Sequence, residues 1–548
     1  MLKNEKPELK NTYPAADYRL TLAKTNSGFT GQLNDGEEVI FFEPEILNVQ
    51  DSKIYVGFYT ARLATIEVSN IEFNVTAAKT DAPQIEPPVE AVTPEFEFLS
   101  LDKVSKTEYD LMVRSNVKGT VTVKQDQEVI AQEVEVEAGK ILVIPTTIGA
   151  NSDNGFSITF LPEDTQYLTS YDKIVNNYTV TMKTFVEGGD IYVSPAGTSE
   201  GNGSEENPLD IDTAIDFVKE GQKIIVLNGH YVRNSNIEIR KYNDGRVDAM
   251  KYLVAGEGAK PVFDFDKRTE GVILSGNYWH VKGIDFTRTA GNTKGFVVGG
   301  SYNIIERCRF FENGDTGLQI SRTDITENDK SKWPSNNLIL HNISFDNRDP
   351  SENNADGFAA KLTSGVGNVF RGNIAHNNID DGWDLYTKAG TGAIGAVILD
   401  GNISFNNGFL TDGTVGSGDK NGFKLGGEGI HVPHIIRNSI AFGNGAIGFT
   451  SNSNPGVIAE NNISFNNDGG NLVFTTYSNI TPDFTIDGFY SYQQESTAKD
   501  NYPADLSSDS NYFFNGTHSE NKSGKQLNYD DLMKMVLEMV LELIETIL

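Results

Sequence analysis

Residues 378–388 read NIDDGWDLYTK, which crowds Asp380, Asp381 and Asp384 into five positions around a Gly-Trp pair. Carboxylates this close repel one another unless a cation lies among them, so the stretch is either a solvated turn or part of a metal site. Oxygen-only donors suit Ca²⁺, which takes several of them at about 2.3–2.6 Å. Zinc is disfavoured, because the seven histidines are scattered and Cys308 is the single cysteine. Two further stretches, NADGFAAKL and NGFKLGG, place Asp356 and Lys424 in similar glycine-led settings. A lysine beside carboxylates is either an ion-pair partner or a general base, and a base must first lose its proton.

Whether these residues meet depends on the elements that carry them. The segments ERCRFFEN, LHNISFDN, RGNIAHNN, DGNISFNN, RNSIAFGN and ENNISFNN end on Asn313, Asn347, Asn378, Asn407, Asn444 and Asn467. Five residues upstream runs a second column of Cys308, Asn342, Asn373, Asn402, Ser439 and Asn462. The spacing varies from 23 residues (444 to 467) to 37 (407 to 444), with apolar alternation between turns. A variable repeat built on strands predicts a parallel β-helix, whose coils stack at about 4.8 Å. Stacked corner asparagines would form ladders that satisfy buried turn backbone. The NIS sequons fall inside these ladders and are discounted as glycosylation sites, and Cys308, on a ladder position, is expected to be a buried, inert thiol.

Each corner leads into a glycine and a short strand: GLQIS, GFAAK, GWDLY, GFKLG and GFTSN. Strand alternation turns the residues flanking the third position inward, so Gln319, Ala359, Asp384, Lys424 and Thr450 form an outward column. The residue before each glycine gives a second column, Thr316, Asp356, Asp381, Asn421 and Ile447. Asp356 and Asp381 are therefore expected on neighbouring coils, with Asp380 beside Asp381 and Lys424 one coil beyond Asp384. Corner to glycine takes four residues at 313–317, 378–382 and 444–448, but ten at 347–357 and fifteen at 407–422. These two insertions are expected to wall the acidic patch into a cleft.

At 548 residues the chain is long for one core. A small β domain is expected over 1–85, a Pro-rich linker over 86–95, and a β-sandwich-like domain over 96–187. The β-helix is expected over 188–525 and a terminal helix over 526–548, which would cap the β-helix or bind a partner. Seventy-six acidic against 45 basic residues give a net charge of −31, which disfavours nucleic acid and anionic membrane surfaces. No apolar run of some eighteen residues exists, and no apolar signal segment follows Met1. An anionic substrate would need a local cation to bring it in.

The stretches NADGFAAKL, DDGWDLYTK and NGFKLGG, with DIYVSPAGTSEGNGSEENP at the start of the repeat, resemble pectate lyases of polysaccharide lyase family 9 over about 188–480. The resemblance implies an all-β chain with a right-handed parallel β-helix, cleaving polygalacturonate by Ca²⁺-dependent β-elimination. It implies Asp356, Asp380, Asp381 and Asp384 as metal ligands and Lys424 as the base, with Lys420 as second choice. It also implies a secreted enzyme acting on an acidic polysaccharide, and a monomer is expected. Two alternatives stand beside it. A metal-independent polygalacturonase-like hydrolase would use separated carboxylates as acid and base, although no Gly-His-Gly or Arg-x-Lys segment accompanies them. A non-catalytic polysaccharide-binding β-helix would keep the aspartates as a structural calcium site.

Overall fold

A computed structural model describes residues 18–25, 28–41, 69–74, 91–494 and 496–547. The chain divides into one unit of residues 1–94 with 164–171 and another of 95–163 with 172–548. In the first, Leu20–Thr25, Gly28–Leu33 and Val39–Phe41 form an antiparallel meander. Most of the small β domain expected at 1–85, and part of the linker expected at 86–95, lie outside the described residues.

The second unit opens with two antiparallel sheets. One holds Phe96–Phe98, Glu108–Ser115 and Ile141–Thr147; the other is built around Gly119–Gln125, Ser152–Pro162 and Ile174–Met182. Alternation along Glu108–Ser115 buries Leu111 and Val113, and the facing sheet buries Val121, Val123, Ile158 and Phe160. Alternate burial of this kind is what a sheet packed on one face requires.

From Ile191 onward the chain winds into a parallel β-helix. Three parallel sheets of eleven, ten and nine strands run along it, each strand pairing with the one a full coil away. A short helix, Ile211–Phe217, lies near the start of this region and buries Ile211, Ala214, Ile215 and Phe217. It begins where Asp210 Oδ1 accepts from the Thr213 amide at 2.8 Å. Inward side chains stack: Phe358, Trp383, Phe423 and Phe449 follow one another with ring centroids 4.8–5.0 Å apart. That distance is the spacing between coils, so each ring covers the next and the core is continuous along the axis. At the far end the helix Tyr529–Ile547 seats Leu532, Met533, Val536 and Met539 with Ile440, Phe442, Ile463 and Phe465.

Both expected ladders form. Asn347, Asn378, Asn407 and Asn444 each donate Nδ2 to the Oδ1 of the next corner, at 2.8–2.9 Å. In the second ladder the amides of Cys308, Asn342 and Asn373 donate to Asn342, Asn373 and Asn402, each at 2.9 Å. Cys308 is buried, which pushes its thiol up to about 12 and leaves it un-ionised. A third ladder, Asn303, Asn337 and Asn368, was not legible from the corner motif. Its position is continued by His434, whose Nδ1 accepts from the Val397 amide.

Candidate active site

The nine-stranded sheet carries the site. Its register pairs Gln319 with Ala359, Ala359 with Asp384, Asp384 with Lys424, and Lys424 with Thr450, the outward column read from the sequence. The glycine amides trace the second column: Gly357 donates to the Asp381 carbonyl and Gly382 to that of Asn421, both at 2.9 Å. Gly382 must lack a side chain, because a Cβ there would fall on Ser404 Oγ and the Gly422 carbonyl of the next coil. A close-packed corner thereby fixes Asp381 and Asp384 on either side of Trp383.

The two insertions bond to each other, and the second also bonds to Asp380. Asp349 orders the first by accepting from the amides of Ser351, Asn353 and Asn354 at 2.9–3.0 Å. The Ser417 amide of the second donates to the Glu352 carbonyl at 2.8 Å. Ala355 of the first, Leu410 of the second and Ile379 form a small apolar cluster.

Asp356, Asp380 and Asp381 are all buried and each offers an oxygen within 4.8 Å of the others. In each of them protein hydrogen bonds engage one oxygen. Asp356 Oδ2 accepts from Lys361 Nζ at 2.7 Å and from Thr316 Oγ1 at 3.2 Å. Asp380 Oδ1 accepts from the amides of Asp419 and Lys420, and Asp381 Oδ1 from the amide and Nδ2 of Asn421. Asp356 Oδ1 and Asp381 Oδ2 are buried without a hydrogen-bond partner. Asp384 lies outside the trio: its Oδ2 accepts from Lys361 Nζ at 2.9 Å, and its Oδ1 is likewise buried and unpartnered. Orphaned buried acceptors are costly, about 1–3 kcal/mol each and more when charged.

The electrostatics follow from this crowding. Burial, opposed by Lys361, pushes Asp356 up to about 7. Burial and then Asp356 push Asp380 up to about 7, and burial and then Asp380 hold Asp381 well above the carboxylate range. For Asp384 burial acts upward, but Lys361 and Lys424 outweigh it and its carboxyl is held below the ordinary value. Lys424 Nζ lies 2.7 Å from Asp419 Oδ2 and 3.2 Å from Asp381 Oδ2, off hydrogen-bond geometry for the latter. Burial acts against the charged form of Lys424, yet Asp384, Asp381 and Asp356 hold it protonated, well above its ordinary range. The ammonium also lies 5.6 Å from the Tyr386 ring centroid.

The sequence columns thus bring Asp356, Asp380, Asp381 and Lys424 together and place Asp384 against Lys361. Lys420, on the second insertion, contributes its amide to Asp380. Sequence reasoning missed Lys361, although it lies two residues beyond the outward Ala359 on the same strand edge, where alternation turns it outward too. Asp419 carried no repeat signal, because insertions fall outside the columns.

Hard oxygen donors within 4.8 Å of one another fit a cation that reaches each at about 2.3–2.6 Å, since two donors of one ion lie at most about 5 Å apart. Unpartnered carboxylate oxygens on Asp356 and Asp381 meet the same requirement.

The family described as Pel9A-like, right handed beta helix region matches residues 191–491. The pectate disaccharide-lyase central Ig-like domain matches residues 97–180, the two-sheet region. The chain is 62% identical over 540 residues to a Thermoclostridium stercorarium protein named pectate lyase L, covering 98% of this chain and 44% of that protein. It is 40% identical over 362 residues to pectate lyase L of Paenibacillus polymyxa, covering 64% of this chain and 78% of the relative. The solved structure of pectate lyase Pel9A overlays with a TM-score of 0.48 at 30% identity, over 57% of this chain and 78% of that one. The chain thus spans less than half the length of the Thermoclostridium relative.

Proposed function

Since this chain belongs to the Pel9A-like right-handed β-helix family, we propose that it is a secreted pectate lyase cleaving polygalacturonate by Ca²⁺-dependent β-elimination. The observation that carries this reading is the buried trio Asp356, Asp380 and Asp381 with unpartnered oxygens and an ammonium, Lys424, at its edge. Asp356, Asp380 and Asp381 would hold the ion, with Asp384 as a fourth donor. A bound Ca²⁺ supplies positive charge that fixes a uronate carboxylate and acidifies the C5 proton beside it. Such compensation of the carboxylates is also what lets Lys424 shed its proton, since the same aspartates otherwise hold it charged. Neutral Lys424 then takes the C5 proton, and the C5–H electrons form the C4–C5 double bond. The C4–O bond breaks with its electron pair on the departing oxygen, which takes a proton from water as the other sugar chain leaves. The new end is a 4,5-unsaturated uronide.

A protein of charge −31 gains contact with a polyanion in this way, because the ion screens the carboxylates at the point of approach. An extracellular setting follows from a polymeric substrate, and no described helix is long and apolar enough to cross a membrane. The polygalacturonase alternative needs two carboxyls about 5–9.5 Å apart with water or sugar between them. A trio within 4.8 Å, bordered by two lysines, gives it little room.

Ultraviolet absorbance growth on polygalacturonate, measured with calcium and with excess chelator, tests the proposal. Unsaturated product that requires calcium supports it. Sugar release without absorbance, indifferent to chelator, would replace the lyase with a hydrolase. Chromatography of the first products distinguishes release of disaccharides from internal cutting.

A further inference from the structure

Lys361 is the charged group the proposed reaction leaves unused. It is buried, and it bridges Asp356 Oδ2 at 2.7 Å and Asp384 Oδ2 at 2.9 Å, two carboxylates on neighbouring coils. Ala359, two residues before Lys361, pairs in register with Asp384, which puts the lysine's strand beside that acid. By taking the Oδ2 atom of both, Lys361 leaves both Oδ1 atoms without partners. Lys424 differs: it reaches the exposed Asp419 as well as Asp381, on the open side of the group.

We propose that Lys361 is a built-in counter-cation of the site, holding Asp356 and Asp384 in place while no metal ion is present and tempering the site's affinity for a divalent cation. The inference rests on the reading of the carboxylates as a Ca²⁺ site. Without Lys361, four aspartates would face Lys424 alone, an excess of buried negative charge that an ion or protonation would have to offset, and such groups are strongly destabilising when unpaired. Lys361 supplies that offset internally, so the fold does not depend on the ion. The same positive charge repels an incoming cation, and ligand charge count is one of the quantities that sets calcium affinity. Lys361 is thus a positioning residue: both partners of its ammonium are buried carboxylates, whereas Lys424 also pairs with the exposed Asp419.

Lys361→Met keeps the length of the stem and removes the charge. Thermal melting with chelator and with saturating calcium chloride, together with calorimetric titration of calcium, reads the result. The expected outcome is a lower melting temperature in chelator, a value near the parent's in calcium, and a calcium Kd tighter by about tenfold or more. The two readouts are linked, since ion-free destabilisation that the ion reverses must appear as tighter binding to the folded state. The double variant Lys361→Met/Asp384→Asn removes one charge of each sign and is expected to recover most of the lost ion-free stability. Equal loss of melting temperature with and without calcium, or an unchanged or weaker Kd, would overturn the proposal. So would a double variant no more stable than the single one. If Lys361→Met does not fold, the double variant decides alone, by folding or not folding in chelator. A parent that takes up no calcium would remove the Ca²⁺ reading, and melting of the three proteins in chelator would still decide the counter-cation.

Discussion

Two polar columns are buried side by side on the same coils, and they solve burial in opposite ways. In the asparagine ladder every side chain carries both a donor and an acceptor, so Asn347, Asn378, Asn407 and Asn444 pass hydrogen bonds from coil to coil. Along that ladder only Asn313 Oδ1, at its start, lacks a partner. In the acidic group an ionised side chain is only an acceptor, and Asp356, Asp381 and Asp384 each keep an oxygen without a hydrogen bond, that of Asp381 lying 3.2 Å from Lys424 Nζ. Both groups are almost wholly shielded from water. The ladder is complete within the chain, whereas the acidic group is complete only with a further cation. Stacking alone is therefore neutral about function; donor–acceptor balance within the stack separates scaffold from site.

The sharpest break of this contrast is at Lys424. Lys424→Ala removes the proposed base but none of the carboxylate donors. We expect kcat on polygalacturonate to fall by roughly 10²–10⁴-fold, the range of general acid–base contributions, followed as growth of ultraviolet absorbance. Calcium binding by titration should persist. If kcat is unchanged, another group takes the C5 proton, and Lys420 is the next to replace.

A second change converts the acidic column toward the ladder's chemistry. Asp381→Asn puts an amide where burial and Asp380 hold the carboxyl well above its normal range. Calcium affinity should weaken by at least about tenfold, since ligand charge count sets it. The ion-free protein should become more stable, because a carboxyl that burial holds well above its normal range costs folding free energy at neutral pH that an amide does not. The two measurements, titration and melting in chelator, should therefore move in opposite directions. A loss in both would mean that Asp381 serves the fold as the asparagines do.

Much of this contrast was legible in the amino acids. The corner columns gave the β-helix and two ladders, and strand alternation gave the register Ala359, Asp384, Lys424, because period-2 geometry and one coil per repeat leave little freedom. Residues whose placement depends on packing across coils were not legible. Lys361 reaches two carboxylates through its long stem, Asp419 reaches Lys424 from an insertion, and the third ladder lies on a corner with no shared motif. The sequence columns set Asp384 beside Lys424, as the register has it, but the bond from Lys361 to its Oδ2 depends on the reach of a long side chain that no column records.

The ladder can be broken in its turn. Asn378→Ala removes a donor to Asn407 Oδ1 and an acceptor for Asn347 Nδ2, leaving both without their ladder partner in the interior. Asn407 Oδ1 keeps the amide of residue 378, and Asn347 Nδ2 keeps the Phe310 carbonyl and Ser344 Oγ. The loss is chiefly that of three side-chain hydrogen bonds, the third to the Ser344 carbonyl, at about 1 kcal/mol each, so about 3 kcal/mol in denaturant unfolding. The loss should be the same with chelator and with calcium, provided the corner leading to Asp380 keeps its shape. A loss confined to chelator would show that the two columns are energetically one system.

The smallest effect concerns a ladder position that carries an imidazole. His434 is buried, accepts the Val397 amide on Nδ1, and has no partner for Nε2. Burial pulls its imidazole down to about 3 from an ordinary 6.5. The unfolded chain therefore binds a proton near pH 6.5 that the folded chain refuses until about pH 3. Its neutral form contributes full stability above 6.5, and that contribution declines as pH falls from 6.5 toward 3. At pH 5 the decline is about 2 kcal/mol, because each pH unit below the unfolded pKa is worth about 1.4 kcal/mol. His434→Gln offers an acceptor that does not titrate, so the difference in unfolding free energy between parent and variant should shift by that amount between pH 7 and pH 5. A difference independent of pH would mean that a ladder position can take up charge, and donor–acceptor balance would then no longer separate the two columns.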